Sequence, residues 1–239
     1  MAQHRYALPA TASDAQLMLA LQQALADYQA GDPDYQPFTS KFDAVQAGRA
    51  TFTAPESRGL ALFNDPQQGN CASCHSSTPA PGQTQALFTH FGYFGYFGYL
   101  ALGLPRSRSA STADANFFDL GLCGPSRSDL ANRTDLCGLF KVPTLRNVAL
   151  TAPYFLNGAV PTLEAVVSFS ATRDFDPARW YPADNGVVIK FNDLPAAYRG
   201  NVTQQAPFGL RPGAAPRLSA QDVQDRVAFP RTLTDGFTQ

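Results

Sequence analysis

Cys71, Ala72, Ser73, Cys74 and His75 are the residues of this 239-residue chain whose types and spacing could carry chemistry. Two thiols three positions apart lie on the same side of one helical turn, so they can add to the two vinyl groups on one edge of a porphyrin. The next side chain, His75, then points its imidazole at the iron. Cys-x-x-Cys-His is the attachment sequence of a c-type haem, and the axial ligand is one of the protein's main levers on haem potential. With 4 Cys and 3 His in the chain, a chance match arises about once in a thousand such compositions. A zinc site needs two further ligands at matching spacing, and Cys123 and Cys137 form no second Cys-x-x-Cys. A redox Cys-x-x-Cys follows a strand in a βαβ unit, whereas the surroundings of Cys71 read as helix and loop.

The elements that must position this motif are legible as capped helices. Ser13 or Asp14 caps a helix carrying Leu17, Leu21, Leu25 and Tyr28 on one face, which stops at Gly31, Asp32 and Pro33. Thr53 to Glu56 is a capping box with Pro55 in the first turn, opening a helix through Leu60 and Phe63. A turn from Asn64 to Asn70 leads into the motif. Thr162 caps a helix over Leu163 to Ser170, with Val166, Val167 and Phe169 turned inward. Ser219 caps a last helix through Val223 and Val227, which Pro230 ends or kinks. No segment keeps a period of two, so a sizeable β-sheet is not expected. The triplet Phe-Gly-Tyr recurs from Phe91, Phe94 and Phe97, too short a repeat for a solenoid. It reads as a small in-frame expansion or, alternatively, an aromatic electron path.

Charged residues make up 15% of the chain, with 19 Pro, 18 Gly and 18 Phe, against about 25% charged in ordinary soluble domains. Long loops and aromatic packing are expected, as suits a chain wrapped around a flat cofactor. A net charge of −1 gives no sign of nucleic acid or an anionic membrane as partner. No apolar run is long enough to span a bilayer. Met1 to Ala12 lacks the basic and apolar regions of a secretory signal, although covalent haem attachment belongs outside the bacterial cytoplasm. A removed leader or a longer parent chain would reconcile the two, with the periplasm as the expected compartment. Asn132 and Asn201 begin Asn-x-Thr triplets, read as chance matches. Four Cys, one pair close and one loose, are compatible with one cofactor site plus one disulfide.

From about Leu17 onward the chain resembles the C-terminal haem domain of bacterial di-haem cytochrome c peroxidases, with MauG-type enzymes as relatives. The matching stretches are Ser40 to Asp43, Arg58 to Phe63, Phe117 to Leu122, Phe140 to Val148, Thr151 to Phe155, Asn157 with Gly158, Asp193 to Pro195, and Thr232 to Gly236. The resemblance implies an all-α, cytochrome c-like fold with long irregular Pro- and Gly-rich loops. Residues 1–52 would be linker and helix from the interdomain region, and residues 53–239 the haem domain. It implies that one covalent haem c takes electrons from a small donor protein, a c-type cytochrome or cupredoxin, and passes them to an N-terminal haem that reduces hydrogen peroxide. With one Cys-x-x-Cys-His in the chain, the N-terminal haem domain is expected to lie outside it. Relatives carry Cys at the positions of Cys123 and Cys137, which implies a disulfide. Oxygens of Thr151 and Pro153 match calcium ligands of the family.

The departures from the family gather on one side of the expected iron. Leu156 stands where relatives carry a His, and Ser170 where they carry the Met or Tyr that is the sixth ligand. No Met follows Met18. His90, where relatives often have an acidic residue, is a candidate distal ligand or a hydrogen-bonded loop residue. Arg146 is a candidate partner for a haem propionate or a member of a structural ion pair. A stand-alone module that binds small ligands or senses peroxide, and a decayed fragment, are the alternatives to an electron-transfer domain.

Overall fold

The structure is a computed structural model that describes residues 9, 11–35, 37–90, 98–107, 114, 116–126, 128–214 and 218–238. Residues 91–97, which hold most of the Phe-Gly-Tyr repeat, lie outside the described residues. The chain forms two compact units, Met1–Phe38 and Thr39–Gln239.

The first unit is built around helix α1, Asp14–Gly31. Ser13 caps it, and its hydroxyl accepts from the Gln16 amide while the Gln16 side chain accepts from the Ser13 amide. These reciprocal bonds satisfy two of the donors that every helix start leaves over. No residue of α1 is buried.

The second unit begins with α2, Lys41–Gln46, and continues with α3, Ala54–Asn64. Ser40 to Gln46, grouped with the linker on sequence grounds, packs within this unit: the Phe42 amide donates to the Thr232 carbonyl, and Lys41 pairs with Glu56 at 2.6 Å. Capping boxes open both helices, from Ser40 to Asp43 and from Thr53 to Glu56. Strand β1, Tyr99–Leu100, pairs antiparallel with β2, Phe140–Lys141. Helix α4, Leu163–Thr172, follows its cap Thr162 and runs slightly past the expected end. A second short antiparallel pair, β3 (Ala183–Asp184) with β4 (Val187–Val188), precedes α5, Ala220–Arg231. Pro230 was expected to end or kink this last helix, yet α5 continues through it to Arg231. So near the C-terminus, proline's lost N–H and ring clash touch only the final turn.

Helices α3 and α5 cross closely because of a glycine. A Cβ on Gly59 would lie 2.1 Å from the Asp225 carbonyl oxygen, so any other residue would force the helices apart. Beside the crossing, Arg58 makes a two-pronged ion pair with Asp225 at 2.7 and 3.1 Å. Phe42, Phe63, Phe88, Phe229 and Leu233 form the core beneath it, with Cys71 and Ala72 packed on its edge. The rings meet edge to face, Phe42 to Phe88 at 4.9 Å and Phe63 to Phe229 at 5.1 Å between centroids. That geometry sets the positive ring edge against the negative face of its neighbour.

Candidate functional site

The attachment motif sits on a tight turn rather than an α-helix. Cys71–Ser73 is a 3-10 turn, entered through Asn70 in the left-handed region at φ 49°. Asn tolerates that conformation better than most side chains, and here its amide donates to the Ala206 carbonyl at 2.8 Å. The approach from α3 also depends on Gly69, where a Cβ would fall 1.9 Å from the Leu62 carbonyl oxygen. The His75 amide closes the turn onto the Cys71 carbonyl at 2.8 Å. Neither Cys71 nor Cys74 is in a disulfide. Burial pushes the Cys74 thiol up from its ordinary pKa.

His75 is half-buried, and desolvation pulls its pKa down, so the neutral imidazole is the favoured form. Its Nδ1 lies 2.9 Å from the Phe88 carbonyl oxygen. A carbonyl only accepts, so this contact favours the proton on Nδ1, with the Pro143 carbonyl as a second backbone acceptor against the ring. Fixing the tautomer and ring orientation through the far nitrogen is the usual way proteins prepare a ligating histidine. Phe88 itself is fully buried, with a backbone φ of 51°. A non-glycine residue in that region costs on the order of 1–3 kcal/mol and persists only when its surroundings impose it.

Those surroundings are explicit. The segment before and after Phe88 is fastened residue by residue to the stretch Val142 to Arg146. Arg146 donates to the Ala86 carbonyl at 2.7 and 2.9 Å, and the Thr144 hydroxyl donates to the Leu87 carbonyl at 2.5 Å. The Thr89 hydroxyl donates in turn to the Val142 carbonyl at 2.6 Å. Arg146 also holds Asp43 through two bonds of 2.7 and 3.0 Å, with side chains 8% and 5% exposed. Of the two roles expected for Arg146, the structural ion pair is the one the structure displays. All three guanidinium nitrogens are engaged, and the ion pair pins the backbone that orients His75. Sequence reasoning missed Asp43 as the partner, and missed Phe88, Thr144 and Thr89. The only signal was that Asp43, Thr144 and Arg146 fall within stretches shared with the family.

A cavity of about 520 Å³ opens beside Cys74, lined by Ser73, His90, Tyr99, Leu100, Val142 and Gln205. That volume is in the range of cofactor clefts, about 300–1,000 Å³. His90 contributes a buried Nδ1 with no hydrogen-bond partner among the described residues. Ser170 and Leu156 are not among the described residues that line this cavity. The Ser170 hydroxyl donates back to the Val166 carbonyl one turn earlier on α4, at 3.0 Å, and Leu156 is 48% exposed. Cys123 and Cys137 are joined by a disulfide. Thr151 and Pro153 are exposed, and the Thr151 hydroxyl donates to the Val148 carbonyl at 3.1 Å. Two free thiols on one turn, a histidine with its outer nitrogen committed, and an adjoining cavity fit a covalently held haem.

No protein-family model matches the chain. It is 37% identical over 231 residues to the methylamine utilization protein MauG of Paracoccus denitrificans, covering 90% of this chain and 51% of that protein. It is also 32% identical over 129 residues to the cytochrome c peroxidase Ccp of Escherichia coli, covering 54% of this chain and 23% of the relative. Among solved structures, the diheme peroxidase BthA of Burkholderia thailandensis aligns with a TM-score of 0.75 and 40% identity, over 92% of this chain and 51% of that one. The chain thus spans about half the length, or less, of the proteins it matches. Over that span, the fold and the sequence together make it a member of the di-haem cytochrome c peroxidase family, MauG included.

Proposed function

We propose that this chain is the electron-transfer haem domain of a di-haem peroxidase, an all-α domain of the cytochrome c type. One haem is attached through Cys71 and Cys74 and ligated by His75. The observation that carries this reading is the 2.9 Å contact between His75 Nδ1 and the Phe88 carbonyl, one residue after two free thiols. A bound haem supplies reversible one-electron chemistry. The chain's own residues do the rest. Phe88 fixes the imidazole tautomer, the Asp43–Arg146 pair holds Phe88 in place, and the phenylalanine core keeps water from that side of the site. Electrons come from a small c-type cytochrome or cupredoxin in the periplasm. They pass to a second haem, on a domain matching the rest of the family's length, where hydrogen peroxide is reduced.

The sixth iron position is left to water in this reading. Ser170 is too short and too weakly basic to replace a thioether or phenolate, and its hydroxyl is already turned onto Val166. His90 follows Phe88 closely, on the segment that holds the outer nitrogen of His75. It lines the cavity beside Cys74 with a buried Nδ1 that has no hydrogen-bond partner among the described residues, so it is the other candidate for that position. The same observation about Ser170 favours a second reading, a module that binds small ligands at the open position. Thr151 and Pro153 are calcium ligands only with oxygens from another domain, since a hard cation takes six to eight.

Maturing the chain in a host that makes c-type cytochromes, then taking its spectrum and titrating its potential, tests the proposal. Covalent haem with a positive potential, reduced readily by a small c-type cytochrome, is the expected result. A five-coordinate haem that only strong reductants reduce supports the ligand-binding module instead, and no stable holoprotein supports a decayed fragment.

A further inference from the structure

Arg226 is a buried cation beside Cys71 with no anion paired to it among the described residues. It lies on α5, 4% exposed, and its Nη2 approaches the Cys71 sulfur at 2.6 Å. Its Cζ stands over Gly69, 3.6 Å from where a Cβ there would lie. Nη1 is buried and has no hydrogen-bond partner among the described residues. Its neighbour Asp225 is taken by Arg58. A guanidinium stays charged at any working pH, and burying it unpaired is unfavourable unless something nearby benefits from the charge.

We propose that Arg226 raises the reduction potential of the haem held at Cys71, acting as a fixed positive charge at the thioether edge. This rests on the attachment reading given above. Cys71 would bond to a vinyl carbon, and vinyl and propionate groups occupy opposite edges of the porphyrin. Arg226 would therefore lie away from the propionates, whose negative charges would not pair with it. Oxidising the iron adds one positive charge. A cation a few ångströms from the macrocycle, in surroundings of low dielectric, disfavours that oxidised state more than the reduced one. The charge acts in the direction opposite to the loss of a thioether ligand at the position of Ser170. It offsets part of the fall in potential that water ligation brings.

Redox titration of the holoprotein, at fixed pH and ionic strength, with Arg226→Met, Arg226→Gln and Arg226→Lys alongside the unaltered chain, tests the proposal. Met matches most of the aliphatic stem of the side chain and suits a buried position without a charge, so it should fold. The Met and Gln variants should shift to a more negative midpoint while keeping the spin state of the unaltered protein, and Lys should stay nearer to it. A Met variant with covalent haem and an unchanged midpoint overturns the proposal. So does loss of covalent haem in both neutral variants, which would make Arg226 an assembly residue. Absence of covalent haem in the unaltered chain would instead defeat the attachment reading itself.

Discussion

The turn at Cys71 and the helix at Ser170 are furnished very differently. Around the turn, constraints converge from across the chain: the Gly59 crossing, the Gly69 approach, the Asn70 bond to Ala206, and the fastening of residues 86–89 to Val142–Arg146. On α4, the Ser170 hydroxyl bonds within its own turn among the described residues, and Leu156 is exposed. The difference teaches that holding a haem and completing its coordination are separable tasks. The first needs a scaffold, and the second one side chain, which on the proposed reading Ser170 does not supply from α4.

The comparison breaks most visibly at the thiols. Replacing Cys71 or Cys74 by Ala should weaken or abolish haem stain on denaturing gels, which the unaltered chain should retain. Haem that washes out of the native sequence would end the attachment reading. Next in size is Arg146→Ala, which strands a buried Asp43 and should cost about 3–5 kcal/mol in denaturant unfolding. Burial pushes the Asp43 carboxyl up, but the hydrogen bonds from Arg146 and Ser40 outweigh it and hold the pKa below the usual value. A depressed pKa contributes stability that is complete above the unfolded value, about 3.9, and is lost as pH falls through the folded one. The cost of Arg146→Ala should therefore be full at neutral pH and shrink as the pH falls below about 3.9 toward the folded pKa of Asp43.

Opening the Cys123–Cys137 bridge, whose sequence separation is 14, should cost about 3 kcal/mol by loop closure. Thiol counting on the oxidised holoprotein should find no free thiol. On the α4 side, stability should hardly move while the spectrum does. Ferric haem should be high-spin and bind cyanide readily, His90→Ala should leave it so, and Ser170→Met should convert it to low-spin. A low-spin spectrum that survives His90→Ala would mean that another side chain holds the sixth position. The smallest effect concerns calcium: calorimetry on the chain alone should show no micromolar affinity at Thr151 and Pro153.

The caps at Ser13, Thr53 and Ser219 were legible because a capping box is written within four residues, and Thr162 because a hydroxyl residue stands just before an apolar run. The motif was legible for the same reason. Helix α2 was not singled out, although Ser40 and Asp43 carry a capping box, because its six residues are too few for a periodic signal. The apolar face of α1 reads as amphipathic, and periodicity alone does not say what such a face meets. Phe88 could not be recognised as the carbonyl that orients His75, since nothing local marks a left-handed phenylalanine. Asp43 and Arg146 lie 103 residues apart, and Arg226 and Cys71 lie 155 apart. Only the folded chain brings such pairs together.

Phe88 ties two properties that proteins usually keep apart. Its ring is shared by Phe42, Phe63 and Phe229, and its carbonyl sets the angle of the His75 imidazole. Glycine would relieve the backbone there but remove the ring, and any other large residue would keep the strain, so neither change improves the position. Loosening of the core should therefore reach the histidine through the Phe88 carbonyl. On heating, the resonances of the imidazole report the order of the phenylalanine cluster, a thermometer built into the ligand itself.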